Sequence, residues 1–321
     1  MGGDYAPEAV VAGCIEAINE FKANIILVGL EDQVRAELKK YQYPADRIEI
    51  IHAPEVVGME EPAVTPIRKK KESSISIGIN LLKDKKYDAF ISAGNTGAVV
   101  AASTIYLGML EGVERPAIGT VLPTLKDFCF IMDVGANTDP KEVHLLQSAL
   151  MANVYVREVL GVAKPTIGLL NIGEESSKGT GFAKEAFRLF QERLPNFVGN
   201  IEANEVYAGK VNCVICDGFV GNVLLKISEG LMENTGKLIK REIRKNPFAM
   251  LGAFILKLSL KELKKLADYS EYGGAPLLGV NGVVVIAHGR SSPKAIKNAI
   301  KKTIMEVDHD ILSVMMQEIS K

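Results

Sequence analysis

Lys178 stands in the turn of Pro165-Thr-Ile-Gly-Leu-Leu-Asn-Ile-Gly-Glu-Glu-Ser-Ser-Lys-Gly-Thr180, between a short apolar run and the start of an amphipathic helical pattern. Such a turn gathers unpaired helix N–H groups, the positive end of a helix dipole and an ammonium, which together suit an anion. Four other stretches repeat the plan: Ile91-Ser-Ala-Gly-Asn-Thr-Gly-Ala98, Ile131-Met-Asp-Val-Gly-Ala-Asn-Thr-Asp139, Val214-Ile-Cys-Asp-Gly-Phe-Val-Gly-Asn222 and Val285-Ile-Ala-His-Gly-Arg-Ser-Ser292. They supply Asn95, Thr96, Gly97, Asp133, Asn137, Asp217, Asn222, His288, Arg290 and Ser291, beside Asn171 and Glu174 in the first turn. Amides, carboxylates, hydroxyls, one lysine and one arginine can orient an anion and stabilise an oxyanion by hydrogen bonding. The set is poor in nucleophiles. It favours direct transfer onto a bound anion without a covalent enzyme intermediate. A plainer role stays open for Asp133, Asp217 and Asn222, since Asp and Asn are good helix caps.

Other chemistries lack their residues. His52, His144, His288 and His309 are isolated, and neither a metal-ligand spacing, a G-x-S-x-G elbow nor a Walker A sequence occurs. Gly179-Thr-Gly181 is a fragment of a dinucleotide fingerprint in the wrong setting. No cofactor and no metal are expected. The pair Cys213 and Cys216 has a redox or zinc spacing, but it falls in an apolar run, where residues three apart on a strand face opposite ways. The four cysteines read as small core residues.

Turns of this kind need a sheet to hold them. The chain has 321 residues, 47% hydrophobic content and a net charge of −1, with no nucleic-acid footprint and no window near the roughly 18 apolar residues of a spanning helix. A cytoplasmic protein is expected. Strand patterns at 24–30, 48–52, 87–92, 197–201, 210–216 and 282–287 alternate with helical ones at 8–21, 31–41, 68–82, 95–109, 140–160, 179–194, 221–244 and 292–318. Residues 117–122 and 128–132 pair as a hairpin. This alternation predicts one α/β unit over 1–321, with a mostly parallel mixed sheet covered on both faces, and one cleft at the strands' carboxyl ends. The opening Met1-Gly-Gly-Asp4 turn feeds a helix with no strand before it, so the first strand of the sheet is expected to be absent from this sequence.

Residues 237–265 differ from the rest, with nine basic against two acidic side chains, among them Arg241, Arg244 and Lys245. Inside lies the apolar stretch 247–256, with Phe248, Leu251, Phe254 and Ile255. An all-apolar helix of this length between basic flanks predicts shallow insertion at an anionic membrane surface, with a homodimer interface as the alternative.

Taken together, Met1-Gly-Gly-Asp4, Ser92-Ala-Gly-Asn-Thr-Gly-Ala98, Asp133-Val-Gly-Ala-Asn137, Asn171-Ile-Gly-Glu-Glu175 with Lys178-Gly179, Asp217-Gly-Phe-Val-Gly-Asn222, Glu271-Tyr-Gly-Gly-Ala-Pro-Leu-Leu-Gly279 and His288-Gly-Arg-Ser-Ser292 resemble the PlsX family of bacterial phosphate acyltransferases. The resemblance spans nearly the whole chain. It implies formation of acyl phosphate from acyl-[acyl carrier protein] and inorganic phosphate for phospholipid synthesis. It also implies the three-layer fold of isopropylmalate and isocitrate dehydrogenases and of phosphotransacetylase, a homodimer, and peripheral attachment to the cytoplasmic membrane beside a membrane glycerol-3-phosphate acyltransferase. Lys178 and Asn222 match the family's catalysis-associated lysine and asparagine, and the basic 241–245 patch would dock the acidic carrier protein. The chain departs from the family in starting at the Met-Gly-Gly-Asp turn and in having Tyr5 where a histidine is usual. The alternatives are a phosphotransacetylase-type enzyme using acyl-CoA and a non-catalytic membrane scaffold.

Overall fold

A computed structural model describes residues 1–256, apart from the Phe254 side chain, and 273–321. Lys257, Lys261, Glu262, Lys264, Lys265, Glu271 and Tyr272 therefore lie outside the described residues. The strands are β1 (Ile25–Gly29), β2 (Ile48–His52), β3 (Ala89–Ser92), β4 (Ala117–Pro123), β5 (Phe128–Met132), β6 (Ile167–Leu170), β7 (Phe197–Ile201), β8 (Cys213–Ile215), β9 (Ala275–Leu278) and β10 (Val283–Ile286). The helices are α1 (Glu8–Phe21), α2 (Glu31–Leu38), α3 (Val64–Lys69), α4 (Ser74–Lys83), α5 (Thr96–Ala102), α6 (Glu142–Glu158), α7 (Gly181–Arg193), α8 (Ala203–Ala208), α9 (Gly218–Arg244), α10 (Pro247–Ile255), α11 (Pro293–Asp308) and α12 (Ile311–Ile319).

Eight strands form one sheet in the order β3-β10-β9-β4-β5-β8-β6-β7, and β1 and β2 form a separate parallel pair. Its strands are short apolar runs buried on both faces, the pattern of a sheet covered by helices. Alternate residues feed two cores. Phe130, Met132, Cys213 and Ile215 join α6, α7 and α12 on one face, while Ile131, Val214 and Cys216 join α4, α5 and α8 on the other. Cys213 and Cys216 thus belong to opposite faces, and all four cysteines are buried and free. Helices on both faces of a mixed sheet make the expected three-layer sandwich.

Three departures from the sequence reading bear on the site. β9 was not anticipated: it is four residues long with a proline in it, and it runs antiparallel to both β10 and β4. The 68–82 pattern is two helices, because Ser73 caps α4 by accepting from Ser76 N–H. The basic run between them is tied down, with Lys70 donating to Glu61 Oε1 at 2.6 Å and to the Val56 carbonyl at 2.8 Å. The C-terminal helix breaks at Asp310, which has φ 44°.

One buried polar pair sets a pH dependence. Glu306 on α11 is 2% exposed and accepts from the Tyr155 hydroxyl of α6 at 3.2 Å. Burial pushes its carboxyl from 4.5 up to about 8. The folded protein therefore keeps a proton that the unfolded chain releases, and this group's contribution to stability is lost as pH rises from about 4.5 through about 8. Glu306→Gln keeps an acceptor for Tyr155 and cannot ionise. Its Tm is expected to fall less than the parent's between the two ends of that window; parallel curves would place the titration elsewhere.

Candidate active site

The turn after β5 is built on Asp133. Its side chain is buried and takes five donors: Ile118 N–H at 3.1 Å, Gly135 at 3.0 Å, Ala136 at 2.9 Å, Asn137 at 2.7 Å and Asn137 Nδ2 at 3.0 Å. Burial pushes this carboxyl up from its ordinary range, and the donors pull it back. With its acceptor capacity used, Asp133 holds the turn in shape. Asn137 is also committed, donating to the Pro116 carbonyl at 2.6 Å.

The turn after β8 packs directly on this one. Gly218 N–H donates to the Asn137 carbonyl at 2.7 Å, and a Cβ on Gly221 would meet the Asp133 carbonyl oxygen, so only glycine fits there. Asp217 caps α9 by accepting from Phe219 N–H at 3.0 Å and Val220 N–H at 2.9 Å. The first amides of α9 are therefore satisfied internally, and this helix start offers no unpaired N–H, contrary to the general expectation for these turns. It offers the exposed Asn222 amide instead, whose Cγ would lie 3.8 Å from a Cβ on Gly135. Among the described residues that amide makes no hydrogen bond.

β6 lies beside β8 and parallel to it, so the Lys178 turn emerges at the same edge as the other two. Asn171 fixes its base, donating to the Lys178 carbonyl at 3.3 Å and accepting from Ile172 N–H at 2.8 Å. Asn200 Nδ2 holds the Glu175 carbonyl at 2.9 Å. Glu174 is engaged by Lys210 at 2.5 Å, and the same ammonium reaches Glu205 at 2.6 Å. Lys178 is exposed and forms no ion pair among the described residues. Thr180 caps α7 through Ala183 N–H, which leaves the Gly181 and Phe182 amides pointing out of the helix start without an acceptor.

The remaining turns lie elsewhere. Because β9 and β4 are both reversed against their neighbours, β3 and β10 run opposite to β5, β8, β6 and β7. The expectation of one cleft collecting five turns is corrected accordingly: three turns share one edge, and two form a second group. In that second group Asn95 caps α5 through Ala98 N–H and donates to the carbonyls of Gly58, Met59 and Glu61 at 3.1, 3.0 and 2.9 Å. Thr96 is exposed, and Gly97 is packed so tightly on Ala63 that an added Cβ would come within 2.8 Å of its Cβ. Asp4 N–H donates to the Gly289 carbonyl, and Arg290 Nε meets Asp4 Oδ2 at 3.1 Å. Ser291 is buried. His288 accepts at Nδ1 from Arg290 N–H at 3.1 Å. Burial, then the Lys226 ammonium, hold His288 below its ordinary pKa, against the opposing charge of Glu229. Lys226 and Glu229 are on α9, which also carries Asn222, so one helix runs from the first group of turns toward the second.

Arg115 went unnoticed in the sequence. It is exposed and borders a crevice with Asp133, Asn137, His144 and Asp217, and it makes no ion pair among the described residues. The hairpin register that pairs Gly119 with Met132 places it opposite the 133–137 turn.

Comparison with known proteins identifies the lineage. A family described as "Fatty acid synthesis protein" matches residues 1–314. The phosphate acyltransferase of Alkaliphilus oremlandii is 45% identical over 320 residues, covering 100% of this chain and 96% of the relative. That of Halothermothrix orenii is 47% identical over 324 residues, covering 100% and 97%. This chain belongs to the phosphate acyltransferase family. Solved structures add the fold: a phosphotransacetylase from Streptococcus pyogenes has a TM-score of 0.62 at 18% identity, covering 94% of this chain and 92% of that one. A 4-hydroxythreonine-4-phosphate dehydrogenase from Klebsiella pneumoniae has a TM-score of 0.55 at 11% identity, covering 95% and 96%. The acyltransferase family thus shares its sandwich with phosphotransacetylases and with a dehydrogenase of phosphorylated substrates.

Proposed function

We propose that the chain transfers an acyl group from acyl-[acyl carrier protein] to inorganic phosphate, giving acyl phosphate and the carrier thiol, and that residues 1–321 act as one catalytic unit. The observation that carries the proposal is the juxtaposition, at one sheet edge, of two uncommitted polar groups, Lys178 and Asn222, on turns whose other polar side chains are spent on holding shape. Phosphate sits against the Lys178 ammonium and the Gly181 and Phe182 amides. Its oxygen attacks the thioester carbonyl, the oxyanion is met by Asn222, and the C–S bond breaks. A thiol with pKa of about 8.5 leaves without a strong acid, which fits an edge with no histidine positioned on it. Asp133, Asn137, Asn171, Glu174 and Asp217 position the turns, Arg115 adds positive charge, and the group of Asn95, Thr96, Gly97, His288, Arg290 and Ser291 contacts the more distant part of the bound substrates.

The donor is testable. Acyl phosphate, trapped as hydroxamate, is expected in highest yield with long-chain acyl carrier protein, less with acyl-CoA and least with acetyl-CoA. Acetyl-CoA as best donor would make this a phosphotransacetylase-type enzyme, and no product with any donor would leave a scaffold.

The protein acts as a homodimer, on this reading, through the exposed face of α9 formed by Val220, Val223, Ile227, Leu231 and Leu238, which recur at helical spacing. Arg241, Arg244 and Lys245 are on or just past the last turn of the same helix, where they present positive charge. Charge reversal at Arg241 and Arg244 is expected to reduce use of acyl carrier protein more than use of acyl-CoA, with the difference fading as salt rises. Equal, salt-independent losses would remove carrier docking from this patch.

Among the described residues no helix is long and apolar enough to cross a membrane. α10 exposes Phe248 at 83%, Leu251 at 60% and Ile255 at 70%, and we assign it to the surface of an anionic membrane, beside the next acyltransferase of phospholipid synthesis. Each large side chain buried in lipid is worth about 1.5–3 kcal/mol. Phe248→Glu with Leu251→Glu is expected to release the protein from anionic vesicles and leave the dimer and soluble-substrate turnover intact. Monomers in sedimentation with vesicle binding retained would make α10 the dimer interface instead.

A further inference from the structure

β1 is bonded to β2 along one edge only, and β3 to β10 along one edge only. Between the two free edges lies a cavity of about 720 Å³, bordered by Ile25 and Leu27 of β1 and by Ala89 and Ile91 of β3. Val11 of α1 and Ile300 of α11 also line it, as do Ile75 and Gly78 of α4. Its far mouth is polar, with Asn24, Arg47, Lys86 and Asp88.

The near end is closed by the chain's own start. A Cβ on Gly29, the last residue of β1, would lie 2.7 Å from the Met1 Cγ, and one on Gly3 would lie 2.5 Å from the carbonyl of Ala93, just past β3. Both strands therefore end at the Met1–Gly3 segment, so β1 and β3 run in the same sense and any chain leading into Met1 would lie parallel to both. With the slot filled, the order becomes β2, β1, new strand, β3, β10, which is the doubly wound arrangement with its first strand in place.

We propose that the slot is an acceptor for one extended apolar strand of about five residues, joined to the amine of Met1 and hydrogen-bonded to β1 and β3, which merges the two sheets into one. Hydrocarbon would satisfy the apolar lining but not the unpaired N–H and C=O groups of the two strand edges, which a peptide backbone matches at the usual spacing of about 4.8 Å. Helices bound the slot on both sides, so the strand is apolar at every position and does not alternate. The Met1 amine supports the same reading: burial pushes its pKa down, and an amide there would carry no charge to bury.

Three variants of the full chain test the proposal, each with six residues added before Met1: an apolar β-branched run, the same run with a central proline, and Gly/Ser. The apolar run is expected to slow hydrogen exchange of β1 and β3 amides about tenfold or more and to raise Tm by several degrees. The proline and Gly/Ser versions are expected to do neither. Unchanged exchange in the folded apolar variant would overturn the proposal. Equal slowing by the proline version, or by a free fatty acid added to the unextended chain, would also overturn it and make the slot a hydrocarbon site. Should the extended chain fail to fold, the apolar run added as a free peptide to the unextended protein gives the same readout.

Discussion

Lys178→Ala is expected to lower kcat/KM for acyl transfer to phosphate about a hundredfold, or about 3 kcal/mol of transition-state stabilisation, the scale of losing one oxyanion-hole donor. Its ammonium is exposed and unpaired among the described residues, so no fold-stabilising interaction goes with it and Tm should not move. Lys210, on the neighbouring segment, cannot substitute, because Glu174 and Glu205 already hold it. Steady-state rates on the folded variant decide the matter; more than half of parental turnover would sink the assigned role. Asn222→Ala should act in the same direction and less strongly, since a neutral donor is weaker than a charged one.

Asp133→Ala is expected to cost both stability and activity. The carboxylate is 3% exposed, and its removal leaves four backbone amides and one side-chain amide without their acceptor in the interior. An unsatisfied buried group costs about 1–3 kcal/mol each, and partial relaxation of the turn brings the expected total to about 3–5 kcal/mol in urea unfolding. Because α9 starts on this turn through the Gly218 to Asn137 hydrogen bond, Asn222 would shift with it. Asp133→Asn keeps one acceptor oxygen and should lose less. A stability change under about 1 kcal/mol for the alanine variant would mean that the turn is held by packing alone.

The strands and helices that carry the turns were legible because each is a short apolar run closed by glycine. Lys178 and Asn222 stood out by residue type and by family resemblance. Strand direction was not legible. It depends on β9, a proline-containing stretch of four residues whose pairing with β4 and β10 is a tertiary fact, and without it all five turns seem to share one edge. The division between committed and free side chains was equally hidden. Asp133, Asn137 and Asn95 have the same residue types as a ligand shell, and only their hydrogen bonds show them holding turns. Arg115 could have been found, since the predicted hairpin already set it across from the 133–137 turn. The tip residue Phe254 and the basic residues past 256 lie outside what the structure describes, so that part of the 237–265 reading rests on sequence.

The central claim is that phosphate itself is the attacking group, held on turns that provide no enzyme nucleophile. It is tested most directly by thiol exchange: acyl carrier protein labelled in its protein part is mixed with unlabelled acyl-[acyl carrier protein] and enzyme, with and without phosphate. Direct attack predicts that label enters the acylated pool only when phosphate is present, because the thioester reforms only by reversal through acyl phosphate. Exchange at an undiminished rate without phosphate would reveal an acyl-enzyme and contradict the account.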